Sequence, residues 1–425
     1  MATSPDPSRR AALSLLADVL ENNTPLGDAA LRLPSKLDGP ARARAQRLAA
    51  GTLRWMDRSD RALGPFLRNK PHLRVLNALR LALFEIYVEG TADHGAVNDA
   101  VSLVREGGDT ASQAGLTNAV LRNILRQGPE AWAALPVPRL AKWLRKRLTA
   151  DHGKPAVAAM EAVFATVPPL DLSAKSDPAA VAQAVGGTVL ATGSVRLAGA
   201  GQVSALPGYD TGDWWVQDGA AAVAGRLLAA RPGERVIDLC AAPGGKTLQL
   251  AATGAEVTAL DQSVKRLERV RENLARCGLT ADVIAADALR WRPDTPFDAA
   301  LVDAPCSATG TVRRHPELPR IKDGSGLDEL IALQAAILDA ALEMVKPGGR
   351  VVFCTCSLLR AEGEDQLLAA LGRHPGLTVD RAALESPGID PAWITPEGGL
   401  RLRPDYWADL GGMDGFFIAA LTKPA

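Results

Sequence analysis

The chain has 425 residues, of which 47% are hydrophobic and 23% charged, and its formal net charge is zero. This length predicts two or three domains with sizeable cores. No apolar run is long enough to span a membrane, and the N-terminus lacks the segment order of a signal peptide. Five cysteines, an odd number in a long chain, do not indicate a disulfide framework. We therefore expect a cytoplasmic protein, and nothing in the sequence requires more than a monomer.

The charges are distributed unevenly along the chain. Residues 1–150 contain 22 Lys and Arg but only 14 Asp and Glu, so the rest of the chain carries the opposite excess. Such an asymmetry indicates that the first third binds a polyanion. A solvated helical surface rich in arginine would give the same count, so the charge alone leaves both interpretations open.

The first part of the chain, residues 1–130, is predicted to be all helical. Segments such as "RRAALSLLADVL" and "VLNALRLALFEIYV" place apolar residues three and four positions apart. Residues 131–208 follow as a connector with a basic helix and short strands, including "PPLDLSAK". From residue 209 onward, short apolar strands such as "RVIDLC", "EVTALD" and "GRVVFCTC" alternate with helices. This alternation predicts a doubly wound parallel sheet.

The segment "VIDLCAAPGGKTLQLA" contains Gly245-Lys246-Thr247, which matches the end of a nucleotide-triphosphate loop. That loop also needs a glycine at position 240, where this chain has Cys240. The triphosphate interpretation is therefore rejected. A strand, a glycine turn and a helix remain, an arrangement that suits a cofactor lying across the strand ends of an open sheet.

Acidic residues recur at the predicted strand ends, namely Asp261, Asp287 and Asp303. Any one of them is explained by a helix cap. The series favours an adenosine-containing cofactor, with Asp261 on the ribose hydroxyls and Asp287 near the adenine amino group. The glycine pattern does not separate a dinucleotide from S-adenosylmethionine, although the absence of G-x-G-x-x-G disfavours a dehydrogenase.

Four of the five cysteines fall at predicted strand ends, where open α/β sheets place their sites. Their spacing is not that of a zinc site and no histidine pair accompanies them, so we expect no metal. Cys240 and Cys277 fit buried, inert cysteines. Cys306 and Cys356 lie in polar, turn-forming segments, "DAPCSATGTVRRHPE" and "CTCSLLRAEGED", where a thiol can ionise and attack.

The segments "DLCAAPGGKT", "DAPCSATGTVRRHPE" and "CTCSLLRAEGEDQ" resemble the successive motifs of the RNA cytosine-5 methyltransferases, and within them the bacterial RsmB (Sun/Fmu) type, which modifies a cytidine in small-subunit rRNA. "GLTNAVLRNIL" and its neighbours resemble the NusB-like RNA-binding domain of that type. The resemblance covers nearly the whole chain. It implies an α/β Rossmann-like S-adenosylmethionine-dependent methyltransferase domain at 209–425, preceded by an all-α NusB-like domain at 1–130 and a small α+β connector at 131–208.

The resemblance also implies roles for individual residues. S-adenosyl-L-methionine would be bound by the loop Cys240, Ala241, Ala242, Pro243, Gly244, Gly245 and Lys246, with Asp261, Asp287 and Asp303 as further carboxylates of the cofactor site or active site. Cys356 would be the nucleophile and Cys306 would assist release of the covalent product. Cys354 has no counterpart and is expected to be dispensable.

The chemistry of cytosine explains these implied roles. A thiolate of Cys356 that adds to carbon 6 makes carbon 5 nucleophilic toward a methyl donor. Asp303 is the candidate for the N3 side of the ring, where it donates only if protonated and otherwise accepts from the amino group. Lys246 either lowers the pKa of the thiol through its charge or lies on the helix surface. The base must leave its stack to reach this pocket.

The expected partner is 16S rRNA, with Arg313 and Arg314 beside the Cys306 motif as candidate RNA contacts. A solvated loop is the alternative for these arginines. The connector has "LDLSAK" where the family has an Arg-Val-Asn-like strand, which weakens any RNA contact assigned there. Three other functions stay open: methylation of another RNA such as tRNA, methylation of a small molecule or protein, and RNA binding in ribosome assembly without catalysis.

Overall fold

The computed structural model describes residues 6–199 and 201–425. The chain divides into two compact units. The first contains the chain up to Thr166 together with Val312–Asp323, and the second contains Val167–Thr311 and Gly324–Ala425. We call them the helical unit and the α/β unit.

The helical unit is built from amphipathic helices. They are α1 (Pro7–Asn22), α2 (Leu26–Leu31), α3 (Gly39–Leu63), α4 (Leu73–Tyr87), α5 (Asp93–Arg105), α6 (Ala114–Arg126), α7 (Pro129–Ala133) and α8 (Lys142–Phe164). In α3, Leu48, Leu53 and Met56 share the buried face that the sequence spacing predicts. Asp38 caps this helix, because its side chain accepts a hydrogen bond from the amide of Ala41 at 2.8 Å.

Two tight contacts hold the helices of this unit together. A Cβ at Gly51 of α3 would overlap the ring of Phe84 in α4, so glycine allows these helices to approach closely. The buried guanidinium of Arg9 in α1 pairs with Glu85 of α4 at 2.8 Å and with Asp99 of α5 at 2.6 Å. Loss of either carboxylate would leave a buried charge poorly compensated, which is strongly destabilising.

The segment Val312–Asp323 belongs to the helical unit although it lies far away in sequence. The guanidinium of Arg54 donates to the backbone carbonyl of Arg313 at 2.8 Å, and the indole N–H of Trp143 donates to the carbonyl of Pro319 at 3.1 Å. These hydrogen bonds explain why the segment packs with α3 and α8.

The α/β unit begins with a small antiparallel sheet. Its strands are β1 (Leu170–Ala174), β2 (Thr188–Val189), β3 (Val195–Leu197) and β4 (Trp214–Val216), in the order β2-β3-β1-β4, and α9 (Pro178–Val185) follows β1. Within the sheet, Arg196 forms a bidentate, buried ion pair with Asp171 at 2.7 Å. Asp171 also accepts from the amide of Gly219 at 2.9 Å, so the aspartate in "LDLSAK" has a structural role.

A larger sheet follows in the same unit. Its strands are β5 (Arg235–Leu239), β6 (Glu256–Asp261), β7 (Asp282–Ala285), β8 (Phe297–Asp303), β9 (Val345–Thr355), β10 (Thr378–Val379), β11 (Leu400–Leu402) and β12 (Phe416–Thr422). Strands β7, β6, β5, β8 and β9 are parallel in this order, and β12 joins β9 antiparallel. The predicted parallel α/β core is therefore confirmed, with an antiparallel edge.

Helices cover this sheet and connect its strands. They are α10 (Gly219–Leu227), α11 (Gly245–Ala251), α12 (Val264–Cys277), α14 (Leu327–Met344) and α15 (Glu364–Arg373), whereas α13 (Leu318–Ile321) belongs to the helical unit. Asp218 caps α10 by accepting from the amide of Ala220 at 2.9 Å. No helix of the described residues is both long and apolar enough to cross a membrane.

The division between the units differs from the boundaries at 130 and 208 drawn from the sequence. Trp132 lies in the core of the helical unit and stacks on Tyr87 with ring centroids 4.7 Å apart, so the helical unit continues past residue 130. The strands β1 to β3 of the predicted connector, in contrast, belong to the α/β unit. The range 131–208 is thus shared between the two units.

One strand end also differs from the sequence interpretation. Strand β7 ends at Ala285, so Asp287 lies two residues beyond the strand that it was expected to close. Helix α14 ends at Met344, and the "KPGG" segment one residue later lies inside β9. Val345, the first residue of β9, pairs with Phe297 of β8 before the register shifts.

Gly310 provides a test of how tightly the α/β unit is packed near its strand ends. Its amide donates to the carbonyl of Cys356 at 2.9 Å, and its own carbonyl accepts from Gly415 at 2.9 Å. A Cβ at Gly310 would overlap the Gly415 carbonyl, where only backbone movement gives relief. We expect Gly310→Ala to lower the free energy of unfolding by roughly 1–3 kcal/mol, measured as a lower urea midpoint.

The matched control is Gly372→Ala in α15, where an added Cβ meets no atom within 4 Å. This change should leave the midpoint unchanged or raise the stability by up to about 1 kcal/mol. Equal midpoints for the two variants would contradict the close backbone approach at Gly310.

Candidate active site

The glycine turn between β5 and α11 brings backbone to the edge of the parallel sheet. Cys240 and Gly244 both have positive φ, 60° and 105°. A Cβ at Gly244 would lie 3.2–3.4 Å from Val270 of α12, so the turn needs glycine both for its conformation and for its packing. The turn is therefore fixed at the carboxyl end of β5, where a ligand can approach its backbone.

The Gly-Lys-Thr sequence after the turn serves the fold. Thr247 donates its hydroxyl to the buried carboxyl of Asp238 at 2.6 Å. Burial raises the pKa of Asp238 to about 7, against the lowering effect of the Thr247 hydrogen bond. The hydroxyl that would bind magnesium in a triphosphate loop is thus engaged by β5, which agrees with the rejection of that loop.

A pocket opens at the carboxyl ends of β5, β6 and β7. Two of its lining residues are the carboxylates Asp261 and Asp287. Apolar side chains and Cys240 form much of the remaining wall, with Leu260, Ala286, Ala288, Leu289, Pro305, Leu333 and Ile337. An apolar wall beside carboxylates fits an adenosine group, whose base is flat and whose ribose offers two hydroxyls.

The two pocket carboxylates are held in different ways. Asp261 is buried, and its two oxygens accept from the amides of Ser263 at 2.9 Å and Ala242 at 3.2 Å. Oδ2 also pairs with the guanidinium of Arg266 at 3.3 Å, whereas Oδ1 keeps a second lone pair that can accept from a ribose hydroxyl. Asp287 is more exposed and accepts from the amide of Leu289 at 2.9 Å. The residues present therefore fit the expected S-adenosylmethionine.

Lys246 and Asp303 form a close ion pair, with Nζ and Oδ2 2.7 Å apart. Burial lowers the pKa of Lys246, but the Asp303 carboxylate outweighs burial, and the pKa ends above its ordinary value. The ammonium group also lies 5.3 Å from the ring centroid of Phe416. The positive charge of Lys246 is therefore paired with Asp303. Lys246 is buried, so the alternative that it lies on the helix surface is wrong.

Cys354 is a third residue at this ion pair, where it contacts Asp303. Its buried thiol donates to Asp303 Oδ1 at 3.5 Å, opposite the oxygen that pairs with Lys246. Burial, followed by the Asp303 charge, raises the pKa of Cys354 well above its ordinary value. Cys354 is thus a neutral thiol that contacts Asp303, and its expected dispensability stays a prediction. Cys240 is also neutral, since burial raises its pKa to about 12.

Cys306 and Cys356 are brought into direct contact, with their sulfur atoms 3.4 Å apart. Both are half-buried and unbridged. The hydrogen bond with Cys356, burial and the charge of Glu362 raise the pKa of Cys306 well above its ordinary value. The two sulfur atoms are close enough for either thiol to donate a hydrogen bond to the other.

Glu362 is a residue of this site that the sequence interpretation missed. It is fully buried and accepts hydrogen bonds from Ser307 and Ser357, the residues that follow the two cysteines. Its position six residues after Cys356, within the quoted "CTCSLLRAEGED" segment, was the available signal. A carboxylate in a polar loop predicts solvent exposure, so the sequence alone did not distinguish it from Glu364 and Asp365.

The two arginines that follow the Cys306 motif differ in exposure. Arg313 is fully buried in the helical unit, so the prediction that it contacts RNA is contradicted in this conformation. Its neighbour Arg314 is exposed, and its RNA contact stays a prediction. His315 lies 3.5 Å from the carboxylate of Glu317, consistent with a structural position.

The ionisation of Cys306 can be tested by alkylation. Cys356→Ala removes the hydrogen bond that raises the Cys306 pKa most, together with the charge of Cys356, whereas burial and Glu362 remain. The pKa of Cys306 should therefore fall. At a fixed pH below the pKa, a fall of one unit gives about tenfold more thiolate. We expect the pH profile of iodoacetamide alkylation at Cys306, followed by mass spectrometry, to shift to lower pH.

The midpoint of that pH profile distinguishes a change in ionisation of Cys306 from a change in its accessibility to iodoacetamide. Better accessibility alone raises the alkylation rate at every pH and leaves the midpoint unchanged. An unchanged midpoint in Cys356→Ala would show that the two thiols are not coupled. Cys277→Ala, which alters a buried thiol in α12, serves as the control and should leave the profile of Cys306 unchanged.

Comparison with known proteins identifies both halves of the chain. Residues 225–422 match the family described as 16S rRNA methyltransferase RsmB/F, and residues 6–126 match the NusB family. The ribosomal RNA small subunit methyltransferase B of Pseudomonas putida is 36% identical, over 98% of this chain and 98% of its own length. The protein of the same name from Xanthomonas campestris pv. campestris is 38% identical, over 98% of this chain and 97% of its own length.

Solved structures share the fold. The crystal structure of PH0851 superposes with a TM-score of 0.74 at 21% identity and covers 98% of this chain and 99% of its own. A methyltransferase homologue from Pyrococcus horikoshii gives a TM-score of 0.54 at 25% identity, over 65% of this chain and 93% of its own. The expected combination of a NusB domain and a Rossmann-like methyltransferase domain is thus confirmed. The chain belongs to the RsmB family of S-adenosylmethionine-dependent ribosomal RNA methyltransferases.

Proposed function

We propose that the protein methylates carbon 5 of a cytidine in small-subunit (16S) rRNA through a covalent adduct between Cys356 and carbon 6 of the base. The observation that carries this proposal is the contact between the sulfur atoms of Cys306 and Cys356, at 3.4 Å. Two thiols at the ends of adjacent strands suit a reaction that needs one sulfur to attack and another group to assist its departure. The names of the relatives support rRNA as the substrate.

The contact with Cys306 supports Cys356 as the nucleophile. The hydrogen bond with Cys356, burial and the charge of Glu362 raise the pKa of Cys306. In the proposed reaction the Cys306 thiol donates to the Cys356 sulfur and stabilises the attacking thiolate. That thiolate attacks carbon 6, the S–C6 bond forms, and electron density moves to carbon 5.

The cofactor site lies beside these thiols along the strand ends. The turn of Cys240 to Lys246, with Asp261 and Asp287, would hold S-adenosylmethionine, and the bound cofactor supplies the methyl group that carbon 5 takes. Asp303 stands between the two sites. As a carboxylate paired with Lys246, it can accept a hydrogen bond from the cytosine amino group and orient the ring.

Release requires loss of the carbon-5 proton to a base and cleavage of the S–C6 bond. The bonding electrons return to the Cys356 sulfur, where the Cys306 thiol is placed to stabilise them through its hydrogen bond. Cys306 therefore acts on the leaving group. The reaction also requires a flipped base, since carbons 5 and 6 must both be accessible.

The positive excess of residues 1–150 supports RNA binding by the helical unit. Arg314, exposed after the Cys306 motif, is a candidate contact. We further propose that the protein acts as a monomer in the cytoplasm.

The first test uses labelled S-adenosylmethionine and unmodified 16S rRNA, with nucleoside analysis by mass spectrometry. We expect 5-methylcytidine at one position with the wild-type protein and none with Cys356→Ala, because no thiolate then activates carbon 5. Cys277→Ala is the matched control and should retain activity, since this buried thiol packs in α12 with Leu267 and Val270. Methylation by Cys356→Ala would remove this residue from the nucleophilic role, and transfer only to tRNA would change the substrate.

The second test concerns Cys306. Cys306→Ala should form the S–C6 bond but release it slowly, because the hydrogen bond to the departing sulfur is lost. We expect a protein–RNA adduct that survives denaturing electrophoresis and that disappears in the double variant Cys306→Ala/Cys356→Ala. Rapid turnover by Cys306→Ala without adduct would contradict its role in release.

A further inference from the structure

Each of the two cysteines is followed by a serine, and both serines bind one buried carboxylate. The hydroxyl of Ser357 donates to Oε2 of Glu362 at 2.6 Å, and the hydroxyl of Ser307 donates to the same oxygen. The two serine oxygens lie 3.2 Å from each other. One oxygen atom of Glu362 thus joins the two loops that carry Cys306 and Cys356.

The second oxygen of Glu362 strengthens the hold on the Cys306 loop. Oε1 accepts from the amide of Ser307 at 2.8 Å and from the side chain of Gln334 at 2.9 Å. Gln334, buried in α14, also donates to the carbonyl of Pro305 at 2.9 Å. The residues on both sides of Cys306 are therefore tied to Glu362, directly or through one side chain.

Glu362 is itself anchored to the strand that carries the other cysteine. Its backbone carbonyl accepts from the hydroxyl of Thr355 at 2.8 Å, and Thr355 directly precedes Cys356. The residue after Cys356 is held too, since Arg401, paired with Glu364 at 2.5 Å, donates to the carbonyl of Ser357. The geometry around Cys356 is therefore fixed from both sides.

Four neutral groups of Ser307, Ser357 and Gln334 donate hydrogen bonds to the Glu362 carboxylate. The carboxylate lies close enough to Cys306 to raise the pKa of that thiol. Loss of the carboxylate would also leave buried donors without a partner, which is unfavourable.

We propose that Glu362 is the positioning residue that sets the spacing of Cys306 and Cys356 by binding Ser307 and Ser357. This inference rests on the proposed function, because only a reaction that uses both thiols needs this spacing. Glu362 acts through the serines and touches neither substrate nor cofactor. Without it, the loops lose their common anchor and the thiols separate.

The spacing can be measured without any substrate. Phenylarsine oxide reacts with two close thiols to form two S–As bonds and one water molecule. We expect it to bridge Cys306 and Cys356 in the full-length wild-type protein, as peptide mapping would show, and to bridge them at least tenfold more slowly in Glu362→Ala. Cys306→Ala and Cys356→Ala define the rate without this bridge.

Turnover gives the second readout. Glu362→Ala should lower kcat by about 100-fold, since a displacement of about 1 Å in a reacting group has effects of that size, while the KM for S-adenosylmethionine changes little. Glu362→Gln keeps the shape and can still accept hydrogen bonds, so kcat and bridging should stay within about tenfold of the wild type. Glu234→Gln, which breaks the ion pair with Arg350 at the opposite strand ends, is the matched control and should leave both readouts unchanged.

Each outcome decides the proposal. Bridging and kcat of a folded Glu362→Ala within threefold of the wild type would overturn it. If Glu362→Ala does not fold, Ser307→Ala/Ser357→Ala takes its place, and normal bridging in that variant would overturn it equally. Failure of the wild type to make 5-methylcytidine would refute the proposed function alone, because the arsenical still reports the spacing.

Discussion

The parallel pairing of β8 with β9 is the constraint on which the rest of the site depends. In this register Asp303 lies opposite Cys354, and the amide of Ala304 donates to the carbonyl of Cys354 at 3.0 Å. The segments that follow β8 and β9 therefore leave the sheet at the same level. Cys306 and Cys356, which are 50 positions apart in sequence, come into sulfur–sulfur contact. A slip of one residue would turn every side chain of β9 to the opposite face and separate the thiols.

Electrostatics then divides the strand ends into two regions with different tasks. Around the glycine turn, Asp238 and Asp303 lie near the buried ammonium of Lys246, which pairs with Asp303. A few residues further along the strands, the charge near the thiols is the carboxylate of Glu362, which acts on Cys306. The first region is suited to hold and orient polar groups of ligands, and the second to hold two thiols in contact.

Local patterns in the sequence predicted much of this arrangement. The glycine turn, the strand-end aspartates and the cysteine motifs are each encoded within a few residues, and the alternation of strands and helices places them at one edge of the sheet. Other features depend on contacts between distant segments, which the periodicity of the sequence does not reveal. They are the partners of Lys246, the burial of Arg313 and the role of Glu362. The unit boundary was also missed, because the stacking of Trp132 on Tyr87 joins residues that the helix pattern treats separately.

The assignment of Val312–Asp323 to the helical unit has a consequence for how modular this protein is. The chain leaves the α/β unit six positions after Cys306, contributes α13 to the other unit, and returns before α14. The N-terminal helices are thus not an appendage that can be cut away at a linker. Their removal would deprive Pro319 and Ile321 of their packing partners, so a truncation after the N-terminal helices would also disturb the segment that follows the Cys306 loop.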